Sequence, residues 1–301
     1  MSPGTTRDAP PESQSADSAD PETPDDLTDV VSPNLFAPGR GRSFRFPKMR
    51  NYVRDVVWFG DRQPSHPILK WMDLAPIAAA RQAHNAAARA EGRPTVGWAA
   101  LFTQAYGLVA AEVPELRQTV IDHPFSHVYE HSASIARVAV SRLYEGREWL
   151  FFGPVADPAS KTPAEVQAIM TELKSAPIEE TVFGLQVWLS GLPTPIRRFL
   201  WWCALTWNGR MRIARAGTFG VTTLGGEGCC NVFPARVQTT VLTYGPVGGP
   251  PTPQRHPDDP AWCRVTIVYD HRLMDGVLVA DVLNRLQKLL NGPIADDLLA
   301  A

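Results

Sequence analysis

His271 is the residue in this chain best placed to move a proton. It stands between Asp270 and Arg272 in the stretch YDHRLMDGVLVADVLNRLQKLL, with Asp275 four positions on and Gly276 beside it. A free imidazole changes charge near neutrality, so it can take a proton from a thiol or hydroxyl and return it later in the same reaction. That work needs one ring nitrogen free and the other held. Asp275, one turn further along, reads as a structural brace paired to an arginine rather than as a partner of the imidazole. The plainer alternative makes His271 a surface turn residue ahead of a helix. No metal centre is expected, because one histidine and two aspartates within six residues lack the second histidine or cysteine that zinc prefers.

Such a histidine needs a rigid frame. Residues 264–270 (RVTIVYD) read as a strand and 277–290 carry apolar residues at helical spacing, which puts His271 in a tight turn between them. Upstream, 77–90 is Ala-rich between Pro76 and Gly92 and reads as a helix. Residues 95–113 start at a Thr95 cap and are apolar almost all round, the mark of a buried helix. Residues 135–143 alternate and turn at Gly146 into a second apolar run, a hairpin. Thr162, Pro163 and Glu165 form the capping-box pattern of a helix start. Residues 218–225 and 236–245 are β-rich. The pattern predicts one mixed α/β (α+β) domain over 44–301.

Composition narrows the partners. Residues 1–43 are rich in Pro, Ser and acid and poor in aromatics, so they read as a disordered tail. The first 30 residues hold eight of the chain's 31 acids and one of its 29 bases, so the formal charge of -2 hides a mildly basic domain. That balance suits small anions and excludes a nucleic-acid duplex. No apolar run is long enough to cross a bilayer. The four cysteines show no chelating spacing and read as buried thiols in a reducing cytoplasm.

DHRLMDG resembles the D-H-R-x-x-D-G signature of the dihydrolipoyl acyltransferase catalytic domains of 2-oxoacid dehydrogenase complexes, which share a fold with chloramphenicol acetyltransferase. GTFGVTTLGGEG resembles that family's GTFTISNLG block, and AALFTQAYGLVAAEVPELR its buried helix ending in a Pro-Glu-Leu turn. PKMRNYVRDVVWFGDRQPSHPIL is a looser match to its opening helix and PHF turn, and the C-terminal NRLQKLLNGPIADDLLA also fits. The lipoyl and subunit-binding segments that precede such a domain in the complexes have no counterpart in these residues. Residues 196–215 are rich in Trp and Arg where the complexes carry a polar stretch, and the family's Ser-Asn pair is Thr222-Thr223.

The resemblance implies a mixed sheet flanked by helices, assembled as a homotrimer or a multiple of trimers, with each site between subunits. It implies a coenzyme A thioester as substrate, with no tightly bound cofactor. The acceptor would be a small molecule or the lipoyl group of another protein. His271 matches the general base and Thr222 the hydroxyl that stabilises the oxyanion, with Thr223 beside it. Asp275 would pair with Arg50, or less well with Arg54. Asp270 and Arg272 would hold the turn, and Gly276 would lack a side chain because the next helix packs closely. The competing reading is a non-catalytic oligomeric core that keeps the fold. The Trp/Arg block admits three readings: core or subunit contact, an acyl-binding wall, or an interfacial helix with Arg197, Arg198, Arg210 and Arg212 flanking its tryptophans. Membrane contact is the least expected of these.

Overall fold

The computed structural model describes residues 46–229, 232–248 and 261–300. The tail expected over 1–43 lies outside them. Helix α1 (Arg50–Gly60) leads into strand β1 (Ser65–Asp73), and α2 (Ala75–Ala90) and the buried α3 (Trp98–Glu112) follow. A small two-stranded sheet, β2 (Gln118–Ile121) and β3 (His127–Glu130), precedes the hairpin β4 (Ile135–Tyr144) and β5 (Arg147–Ala156). Next come α4 (Pro163–Ser175), α5 (Phe183–Gly191), α6 (Thr194–Thr206) and α7 (Gly209–Ala216). The chain then returns to the sheet as β6 (Phe219–Thr223), β7 (Thr240–Tyr244) and β8 (Trp262–Asp270), and ends in α8 (Gly276–Asn291) and α9 (Pro293–Ala300).

The main sheet runs β1-β8-β7-β6-β4-β5. Strands β4, β6 and β7 are mutually parallel and the other pairings antiparallel. Central β8 is buried along nearly its whole length, which explains its run of β-branched residues. One sheet face carries Phe219, Val221, Leu242, Val265 and Ile267, which pack with α3 and α8 into the main core. The edge strands β1 and β5 each contain a proline, Pro67 and Pro154, tolerated there because an edge strand has one side without a partner.

Local chemistry accounts for the element boundaries. Glu145 and Gly146 both have positive φ (50° and 75°), the two-residue turn whose twist suits a hairpin. Thr162 and Glu165 make the reciprocal capping box at α4. At α3 the expectation needs correction: the N-cap is Gly97, not Thr95, and its amide is bound by the Gln167 side chain at 2.9 Å. The strand expected from 236 starts only at Thr240, because Arg236 turns fully inward. Of the described cysteines Cys263 is buried, Cys203 half-buried and Cys229 exposed, so the expectation of buried thiols holds for one of them. Among the described residues no helix is long and apolar enough to cross a membrane.

Candidate functional site

Strand β8 ends in buried Asp270, and the turn beyond it is built on that carboxylate. Asp270 accepts from the Arg272 amide at 3.1 Å and from its guanidinium Nε and Nη2 at 3.0 and 2.7 Å. The Asp270 carbonyl accepts from the Leu273 and Met274 amides. Arg236, with no exposed surface, brings Nη1 to 3.7 Å from the same carboxylate and donates to the carbonyls of Gln238 and Pro64. Arg212 of α7 joins through Gln63 Oε1 and the Val237 carbonyl. Burial pushes the Asp270 carboxyl up, but the Arg272 hydrogen bonds and the Arg236 charge outweigh it and hold it below its usual range. Burial pulls both Arg212 and Arg236 down to about 10, so each still carries its charge at neutral pH.

His271 projects from this clamp. It is exposed, and no hydrogen bond is recorded for its ring nitrogens among the described residues. Its ring is flanked by Tyr269, with centroids 5.5 Å apart, and meets His66 of β1 edge to face at 4.9 Å. Antiparallel pairing of β1 with β8 sets His66 directly opposite Tyr269.

Asp275 departs from the expected brace. It is the N-cap of α8, and its carboxylate accepts from the Leu278 amide at 2.8 Å. Neither arginine reaches it in this chain. Arg50 is exposed at the start of α1, while Arg54 donates to Asn51 and lies over the Phe46 ring. An aspartate one residue ahead of a helix finds amide donors closer than any guanidinium. Outside its own helix, a Cβ on Gly276 would meet Ile68 Cδ1 of β1 at an ordinary 3.5 Å. The close approach is at Gly60, where a Cβ would fall 2.8 Å from the Arg236 carbonyl oxygen.

Thr222 and Thr223 lie half-buried at the end of β6 and face opposite sides of the sheet. The Thr223 hydroxyl is engaged, donating to the Tyr244 carbonyl at 2.8 Å and accepting from the Gly225 amide at 2.9 Å. The Thr222 hydroxyl has no recorded partner among the described residues. Within one chain Thr222 and His271 do not meet. Thr222 is in register with Thr243, and Thr243 with Thr266, five residues short of His271. At about 3.4 Å per residue the two side chains sit roughly 17 Å apart along the strands alone.

Reading the sequence missed the buried support: Arg212, Arg236, Gln63 and the neighbouring His66. Only the PHF-like match at His66 could have signalled any of them. The Trp/Arg block forms α6 and α7, and two arginines of the interfacial reading are buried. Arg197 and Arg212 are 1% and 4% exposed, so they cannot meet lipid headgroups. Arg197 instead pairs with buried Asp55 of α1. A cavity of about 500 Å³ beside the clamp is lined by Gln63, Ser65, Phe233 and Val268.

No protein-family model matches the chain, and no curated protein does. Solved structures do. A probable dihydrolipoamide acetyltransferase from Listeria monocytogenes superposes with a TM-score of 0.59 at 15% identity, covering 86% of this chain and 95% of that one. The cubic core of a pyruvate dehydrogenase multienzyme complex gives 0.62 at 15%, covering 87% and 96%. The Azotobacter vinelandii dihydrolipoamide acetyltransferase gives 0.59 at 16%, covering 84% and 93%. The chain has the fold of an acyltransferase core. The mixed sheet with flanking helices that the resemblance implied is thus the architecture observed, carried at an identity that speaks to fold alone.

Proposed function

We propose that this chain is an acyltransferase that moves an acyl group between coenzyme A and a thiol or hydroxyl acceptor, its site assembled between copies of the chain. The observation that carries the reading is His271. It is an exposed imidazole on a turn clamped by Asp270, Arg272 and Arg236, in a fold shared with dihydrolipoamide acyltransferase cores. A clamped turn fixes where the ring nitrogens point, which a proton transfer in the transition state requires.

The chemistry runs in one displacement. His271 takes the proton of the acceptor thiol or hydroxyl as its S or O attacks the thioester carbonyl carbon. Charge collects on the carbonyl oxygen, and the free Thr222 hydroxyl of a neighbouring copy donates a hydrogen bond there. Collapse breaks the C–S bond, and the departing coenzyme A thiolate takes the proton back from His271. The acceptor is a small molecule or a lipoyl group supplied by another protein. Asp270, Arg272, Arg236 and Arg212 are positioning residues. Thr223 shapes the strand end, and Asp275 and Gly276 start α8.

One observation favours the competing reading of a non-catalytic core. Asp275 caps its own helix and leaves Arg50 unused, so the brace implied by the resemblance does not form within one chain. The two readings separate on incubating the chain with a panel of acyl-CoAs, with and without lipoamide, and following free thiol. Acyl transfer predicts thiol release that falls about 10²–10⁴-fold in His271→Ala. No release with any acyl-CoA, or equal release by the variant, supports the core reading instead.

A further inference from the structure

A second cavity, larger than the one beside the clamp, lies away from His271. It holds about 650 Å³, within the range of small-molecule sites, and lies between the β4–β5 hairpin and helices α5–α7. Its position is three strands from β8 in the sheet order. Ile135, Arg137 and Pro154 line the sheet side, and Leu185, Trp188 and Trp201 line the helix side.

The polar atoms here are one-sided. Arg137 Nε and Trp201 Nε1 are buried donors with no hydrogen-bond partner, although Trp201 is only 5% exposed. The Tyr52 hydroxyl, on the same wall, has no recorded partner among the described residues. Arg215 adds a second guanidinium, and no aspartate or glutamate lines the space. The Gln186 amide is already spent on the backbone of Phe152. Stranding a buried donor costs about 1–3 kcal/mol, so a pocket that strands two beside an unpaired cation is built for an acceptor that arrives with its ligand.

We propose that this pocket binds an apolar carboxylic acid, a fatty-acid-like amphiphile. Its carboxylate accepts from Arg137, Trp201 and Tyr52, and its hydrocarbon lies against Leu185 and Trp188. The neighbouring helices suit such a ligand: Trp188, Phe199 and Trp207 are 56–60% exposed and give an amphiphile an apolar landing surface. The proposal does not depend on acyl transfer, because none of its residues belongs to the His271 clamp or to the end of β6.

Calorimetric titration of the full chain with dodecanoate tests it. Saturable binding at one per chain is expected, with dodecyltrimethylammonium binding at least tenfold more weakly. Trp201→Phe and Tyr52→Phe, which keep the rings and remove one donor each, should weaken dodecanoate by about three- to tenfold. Ala204→Trp, which fills the cavity, should abolish it while circular dichroism stays native. Arg137→Gln also loses the bond from Nη2 to the Ala214 carbonyl, so the milder variants keep the test sharp if it fails to fold. Absence of saturable dodecanoate binding, equal affinity for the cationic surfactant, or full binding by folded Ala204→Trp each overturns the proposal.

Discussion

Thr222 and His271 stand at opposite ends of the same sheet, one closing β6 and the other following β8. With two strand spacings and roughly 17 Å of strand between them, no rotamer change brings them to one substrate. Any chemistry that uses both must borrow one from a second copy.

Mixing variants tests this. Thr222→Ala and His271→Ala should each be nearly inactive, since an oxyanion donor is worth about 10²–10³-fold and a base about as much or more. Unfolded and refolded together, they should regain a fraction of wild-type thiol release, because a mixed assembly holds some sites with both wild-type side chains. No recovery in confirmed mixed oligomers would remove Thr222 from the site. Thr223→Ala in the same mixture should behave as wild type for complementation.

The two aspartates of the turn should separate in urea unfolding. Asp270→Asn strands buried Arg236 and should cost about 3–5 kcal/mol. Asp275→Ala loses only a helix cap and should cost about 1 kcal/mol, with Asp275→Asn near neutral because asparagine also caps. Arg50→Ala combined with Asp275→Ala should be additive. A coupling above about 0.5 kcal/mol would show that assembly restores the brace.

The Asp55–Arg197 pair joins α1 to α6 with both side chains almost wholly buried, at 0% and 1%. Arg197→Met alone should destabilise by about 3–5 kcal/mol, because the buried carboxylate keeps only the longer contact to Arg198 Nε at 3.6 Å. Adding Asp55→Leu should recover most of that loss. A double variant as unstable as Arg197→Met would mean that the Leu192 carbonyl, which Arg197 also binds, carries the effect.

Burial makes three tyrosines alkali-sensitive. Tyr52 is pushed up to about 12, and Tyr106 and Tyr244 are raised still further by the same cause. Between the ordinary tyrosine range near 10 and pH 12 the unfolded chain releases these protons while the folded chain keeps them. The unfolded state then binds fewer protons, and stability falls as pH rises. Absorbance at 295 nm should show these phenols ionising only together with the loss of circular dichroism. Reversible ionisation of all six tyrosines in a folded chain would contradict it.

What the sequence disclosed follows from the range of the interactions. The hairpin at Gly146, the capping box at Thr162 and the strand–turn–helix around His271 are written in neighbouring residues, and each was readable. Strand β1 was not, because Pro67 argues against a strand unless the strand is known to lie at an edge. Nor was the burial of Arg197, whose partner is 142 residues away. A tryptophan-rich segment studded with arginines has the same local pattern whether its cations face headgroups or a buried carboxylate. The cap that Asp275 makes within its own chain was not readable for a related reason: a nearby amide competes with a distant charge, and spacing alone does not rank them.

The prolines on the two outer strands bear on polymerisation. Pro67 sits across from Val268 and Pro154 across from Arg137, and neither has an N–H to offer a further strand. A sheet margin with a missing donor is a poor template for a further strand. Copies of this chain that crowd together are therefore steered away from endless ribbon growth and toward contacts made by helices and faces, where an assembly can close on itself and stop.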